Sequence, residues 1–107
     1  MVELESPSQR PLTQGGVPSQ KLNHALLQVR DWRTWLRSNI AYAQNELGFK
    51  ELNAECEAVV VIGRRHGVDA KHAVRYRELS SANTKIMSYD RLVDVMRRGR
   101  ALSEAIR

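Results

Sequence analysis

The chain has 107 residues, 42% of them hydrophobic, which allows one domain with a modest core and leaves little room for a second. Lysine and arginine number 17 against 12 aspartates and glutamates, and the net charge of +5 favours polyanionic partners without naming one. A single cysteine, Cys56, excludes an intramolecular disulfide and a cysteine-rich zinc site; together with the absence of a membrane-length apolar run or a signal-peptide pattern, it predicts a soluble chain in the reducing cytoplasm.

Residues 2–5, VELE, read as an extended segment whose alternation puts Glu3 and Glu5 on one face and Val2 and Leu4 on the other. Residues 6–18 hold all the prolines and the Gly15-Gly16 pair, which predicts a surface loop. Ser19 offers an N-cap to a segment with neither glycine nor proline. Leu22, Ala25/Leu26, Val29, Trp32, Leu36, Ile40 and Ala43 recur there at nearly the helical period, so one long helix is expected up to Gly48. The run AVVVIG from Ala58, rich in β-branched residues, marks a strand buried on both faces. A helix over 69–79, a short strand over 84–87 and a last helix, capped by Ser88 or Asp90 and carrying Leu92, Val93 and Met96, complete the order. Alternating strands and helices predict an α/β layer fold with about three largely parallel strands in one domain, residues 1–107. So narrow a sheet, opening at the second residue, reads as the later part of a domain with strands upstream.

Few residues carry chemistry on their own. Glu3 and Glu5 repel one another unless a cation sits between them, yet charges on an edge strand also guard against aggregation. Gln28, Asp31/Trp32 and Trp35, with His24 one turn earlier, form a helical stripe that ordinary packing would also produce. Arg64-Arg65-His66 follow the C-terminal end of the buried strand, where open α/β sheets form ligand clefts; phosphate contact and an exposed loop junction both fit. Arg97, Arg98 and Arg100 suit the C-terminus of the last helix, His72 and Tyr76 suit packing, and Ser88 suits a cap. No phosphate-binding glycine loop, dinucleotide fingerprint or CxxC pair occurs.

The strand Glu3-Leu4-Glu5, a loop, and a helix bearing Gln28-Val29-Arg30-Asp31-Trp32 resemble the pattern of RecB-like PD-(D/E)XK nucleases, in which Gln-x-x-x-Tyr follows the acidic strand. VELESP, HALLQVRDWRTWL, AVVVIGRR and KIMSYDRLVDVM in this order resemble the Shedu antiphage-defence nuclease family, from residue 2 to about residue 98. The resemblance implies a restriction-endonuclease-like fold and DNA cleavage assisted by Mg2+ or Mn2+. It makes Glu3 a metal ligand, sets Glu5 where a lysine usually stands, and gives Gln28 and Trp32 the helix positions beside the site. Arg64 and Arg65 would then contact DNA. The family's upstream acid has no counterpart, because only Met1 and Val2 precede Glu3. The sequence thus predicts the C-terminal portion of a metal-dependent DNA endonuclease domain, inactive as this fragment. The alternative is a degenerate nuclease fold serving as a nucleic-acid-binding or oligomerisation module. A homo-oligomer could form through the first strand's free edge.

Overall fold

The computed structural model describes residues 1–53 and 55–106, with side chains for 1–53 and 55–99. Three parallel strands form one sheet in the order β1 (Val2–Leu4), β2 (Ala58–Val61), β3 (Thr84–Met87), as the alternation of elements predicts. Glu3 lies in register with Val60 and Ile86, and Leu4 with Val61 and Met87. The central strand is the β-branched run, and Ala58, Val60 and Val61 are fully buried.

Helix α1 (Gln20–Ser38) crosses one face of the sheet. Its Leu22, Ala25 and Val29 meet Ala58, Val60, Ile62 and Ile86 in the core, with Tyr76 and Leu79 packed alongside. Ser19 is the N-cap, its hydroxyl accepting the Leu22 N–H at 3.2 Å. The expected single helix up to Gly48 is divided: α1 stops at Asn39, and α2 (Ile40–Asn45) follows. Asn39 causes the break, for its backbone leaves the helical region and its side-chain amide donates to the Trp35 carbonyl at 2.8 Å.

Two further expectations need correction. The helix over 69–79 is regular only in α3 (Ala73–Glu78), preceded by 3-10 turns at Arg65–Gly67 and Ala70–His72. Asp69 stands just before the second of these turns, near the expected start, with its carboxylate 3.5 Å from Arg10. Residues 6–18 are also more than a surface loop: Pro11 and Leu12 are buried, Leu12 bridges Pro18, and His72 donates to the Gln14 carbonyl at 3.0 Å.

Helix α4 (Tyr89–Ile106) starts at Ser88, whose buried hydroxyl accepts the Arg91 N–H at 3.2 Å. Of the two caps considered, Ser88 is the one used. The helix continues to Ile106, so Arg97 and Arg98 lie in its interior rather than at its C-terminus, and the Arg100 side chain falls outside those described. Val93 and Met96, apolar residues of this helix, are exposed, Met96 at 64%. No helix among the described residues is long and apolar enough to cross a membrane.

Gly63 turns the chain out of β2 with φ +69°, and a Cβ there would stand 2.5 Å from the Gln9 carbonyl oxygen. Gly48 also has a positive φ, +80°, but a Cβ there would meet nothing within 4 Å. Gly48→Ala is expected to cost about 1 kcal/mol, the backbone penalty alone, whereas Gly63→Ala costs at least about twice that. Urea unfolding of the two variants checks the difference.

Candidate functional site

Alternation along β1 decides where the two acids go. Met1 packs against the core beneath α1, so Met1, Glu3 and Glu5 share the α1-covered face, and Val2 and Leu4 face the other way, 60% and 61% exposed. Glu3 and Glu5 are half-buried and make no side-chain hydrogen bond or ion pair among the described residues. The β1 main chain is firmly held: the Glu5 N–H donates to the Val61 carbonyl at 2.8 Å, and the Glu5 carbonyl accepts the Tyr89 hydroxyl.

Gln28 and Trp32 stand on the flank of α1 that looks toward β1. The opposite flank meets β3, because Arg33 reaches Thr84 there (2.7 Å), and β1 lies on the far side of β2. At about 100° per residue, Gln28 and Trp32 fall on the β1 side. Gln28 is exposed and Trp32 half-buried, while His24, Asp31 and Trp35 are exposed. The fold therefore gathers Glu3, Glu5, Gln28 and Trp32 along one side of the molecule.

Arg64 and Arg65 are placed differently. Arg64 grips Asp90 with two bonds, Nε to Oδ2 at 3.0 Å and Nη2 to Oδ1 at 2.9 Å. The Arg65 N–H donates to the same carboxylate at 2.7 Å, and the Arg65 guanidinium reaches Asp94 at 2.9 Å. With Pro7, Tyr89, Val93 and Arg97, these residues line an open cleft of about 470 Å3. Both arginines end on carboxylates of α4 rather than beside Glu3 and Glu5.

Asp90, which the sequence marked only as a candidate cap, and Tyr89, which it did not single out, thus organise the C-terminal ends of the strands. Tyr89 joins β1 through the Glu5 carbonyl and β2 through the Gly63 carbonyl, which accepts its N–H at 3.0 Å. The available signal was the spacing of Asp90 and Asp94, one helical turn apart, facing two consecutive arginines.

Among the described residues no three His, Cys, Asp or Glu side chains converge into a group able to hold a metal ion. Glu3 and Glu5 alone offer two carboxylates, fewer oxygen ligands than a divalent cation takes.

The model of the family described as "Shedu protein SduA, C-terminal" matches residues 1–93. The chain belongs to this family. No curated protein and no solved structure matches significantly. The family name places the chain with the Shedu defence proteins, and the matched span takes in all three strands, α1 and the Ser88-Tyr89-Asp90 junction.

The Arg64 guanidinium, and then the Arg65 N–H, hold the Asp90 carboxyl well below the usual carboxylate range. A depressed carboxyl stabilises the fold fully above the ordinary aspartate pKa of about 3.9 and loses that contribution as pH falls below it. Asp90→Asn is therefore expected to lower the urea midpoint by a constant amount from pH 7 to about 5, with the gap narrowing below about 4, where Asp90 of the unfolded chain takes up a proton while the folded carboxyl stays ionised. Unfolding of both proteins across this range checks the sign and the window.

Proposed function

We propose that the chain is the C-terminal part of a restriction-endonuclease-like domain of the PD-(D/E)XK type, which cuts DNA during antiphage defence in the cytoplasm. The family match over residues 1–93 is the observation that carries this reading. The placement of Glu3 and Glu5 on the α1 side of β1, with Gln28-x-x-x-Trp32 on the adjoining helix flank, supports it. In this reading Glu3 is an acidic ligand for Mg2+ or Mn2+. Glu5 adds a carboxylate where the resembling nucleases carry a lysine, and Gln28 orients water or a phosphate oxygen.

Such a cation, when bound, polarises the scissile phosphate and lowers the pKa of the attacking water. Two carboxylates do not complete its site, so this reading needs a further acidic group that the described residues do not bring to Glu3 and Glu5, and the chain alone is expected to cut little. Arg64 and Arg65 reach the DNA backbone only on exchanging Asp90 and Asp94 for phosphate. The outer edge of β1, paired on one side only, admits pairing with a second copy.

A non-catalytic module that binds nucleic acid or assembles oligomers is the second reading. Glu5 in the lysine position favours it, because a carboxylate cannot stabilise the negative charge that develops on phosphate.

The full-length protein with Mn2+ is expected to cleave DNA, and Glu3→Gln to slow cleavage at least ~100-fold, since a lost ligand removes several kcal/mol of transition-state stabilisation. A gel assay of both proteins decides. DNA binding without cleavage, unchanged by Glu3→Gln, would establish the second reading instead.

A further inference from the structure

At the end of the sheet remote from Glu5 and Arg64, three arginines share one flank of α1. Arg30, Arg33 and Arg37 recur at helical spacing and, with Ser81, Asn83 and Thr84, line an open cleft of about 330 Å3. Arg33 is only 9% exposed. Its hydrogen bonds all end on neutral oxygens: the Thr84 hydroxyl at 2.7 Å, the Cys56 carbonyl at 3.0 Å and the Asn83 carbonyl. Its Nε, also buried, has no acceptor, and no carboxylate among the described residues pairs with it. A buried cation held by dipoles alone is undercompensated.

The cleft's rim already holds one oxyanion. Glu55 accepts from Arg37 Nη2 at 3.1 Å with one oxygen and from the Asn83 side-chain amide at 3.2 Å with the other. Arg30 makes no ion pair among the described residues. Three arginines therefore line a cleft floored by the core whose neighbouring carboxylate, Glu55, bonds Arg37 alone of the three, and low-dielectric walls concentrate the field there. Planar guanidinium forks match the spacing of phosphate oxygens better than ammonium groups do.

We propose that this cleft is a phosphate-binding site. Arg30 and Arg37 grip the phosphate oxygens above the buried charge of Arg33, Ser81 and Asn83 supply neutral donors, and Glu55 is the internal carboxylate that the phosphate displaces. The cleft takes one phosphate group and its immediate substituent, not a duplex. It stands independently of the nuclease reading, whose residues lie on β1, after β2 or on the opposite flank of α1.

Inorganic phosphate titrated into isotope-labelled protein, with chloride adjusted to constant ionic strength, tests the site through backbone amide and arginine Nε–H resonances. Saturable shifts confined to the α1 flank and residues 81–84 are expected. Arg30→Gln/Arg37→Gln, which alters exposed side chains and leaves the fold in place, should weaken binding at least ~10-fold. Glu55→Gln should tighten it. The titration is repeated with a nucleoside monophosphate and with a short oligonucleotide lacking terminal phosphates. Oligonucleotide binding weakened by the double variant assigns the phosphate to a nucleic-acid backbone; monophosphate binding alone assigns it to a small phosphate ester, and either result supports the site. Shifts that do not saturate, that chloride reproduces, or that survive the double variant unchanged overturn it.

Discussion

A helix joining two parallel strands closes with one hand, and this chain makes two such connections in the same direction across its sheet. Because the strand order is β1-β2-β3, α1 and α3 fall on the same face. The row of Glu3, Val60 and Ile86 is covered by both helices, while Val2 and Leu4 look out on the other side. The same constraint arranges the candidate chemistry. It turns Glu3 and Glu5 toward α1, and it sets the Gln28-Trp32 flank beside them, although neither relation is written in the spacing along the chain.

Hydrophobic burial holds the sheet to α1, and polar bonds fasten its two ends. A fully buried Leu22 or Val60 is worth about 1.5–3 kcal/mol, whereas a neutral hydrogen bond contributes roughly 1 kcal/mol net. The bonds matter for where they act. At the C-terminal ends of the strands, Ser88 starts α4, Tyr89 holds β1 and β2 together, and Asp90 anchors the two arginines after β2. At the opposite ends, Arg33 ties α1 to the starts of β2 and β3. Removing either set leaves the core composition unchanged but frees strand ends whose register the site needs.

Local patterns were legible in the sequence and non-local partners were not. AVVVIG announced a central strand because burial on both faces demands an unbroken apolar run, and Ser19 announced a helix start because its hydroxyl acts three residues away. The break at Asn39 was hidden because Ile40 and Ala43 continue the helical period, so a side chain bonding back to Trp35 overrode the pattern. Trp32 looked like the stripe residue, yet Arg33 is the buried one, its partners lying 23 to 51 residues downstream. Likewise Glu3 and Gln28 could be proposed from a family pattern, whereas the pairing of Arg64 and Arg65 with Asp90 and Asp94 required the fold to bring the start of α4 back to the end of β2.

The net charge of +5 reads differently once its members are placed. Arg10, Arg37, Arg64 and Arg65 each meet an internal carboxylate, so four of the arginines that suggested a polyanionic partner already have anionic neighbours. Exposed single-contact pairs such as Arg10–Asp69 and Arg37–Glu55 contribute little to stability, about 0–1 kcal/mol each, and are cheap to exchange, whereas the two-bond grip of Arg64 on Asp90 is not. A phosphate approaching Arg64 has to displace a two-bond contact to Asp90 that already satisfies the guanidinium. Arg33 is the opposite case. Its charge is buried and bonded only to neutral oxygens, so an anion in its cleft meets a field that, among the described residues, only Glu55 on the rim offsets, through Arg37 rather than Arg33. Arginine number would rank the two ends of the sheet together; the state of pairing separates them, and it points to the cleft beside Arg33 as the stronger anion site.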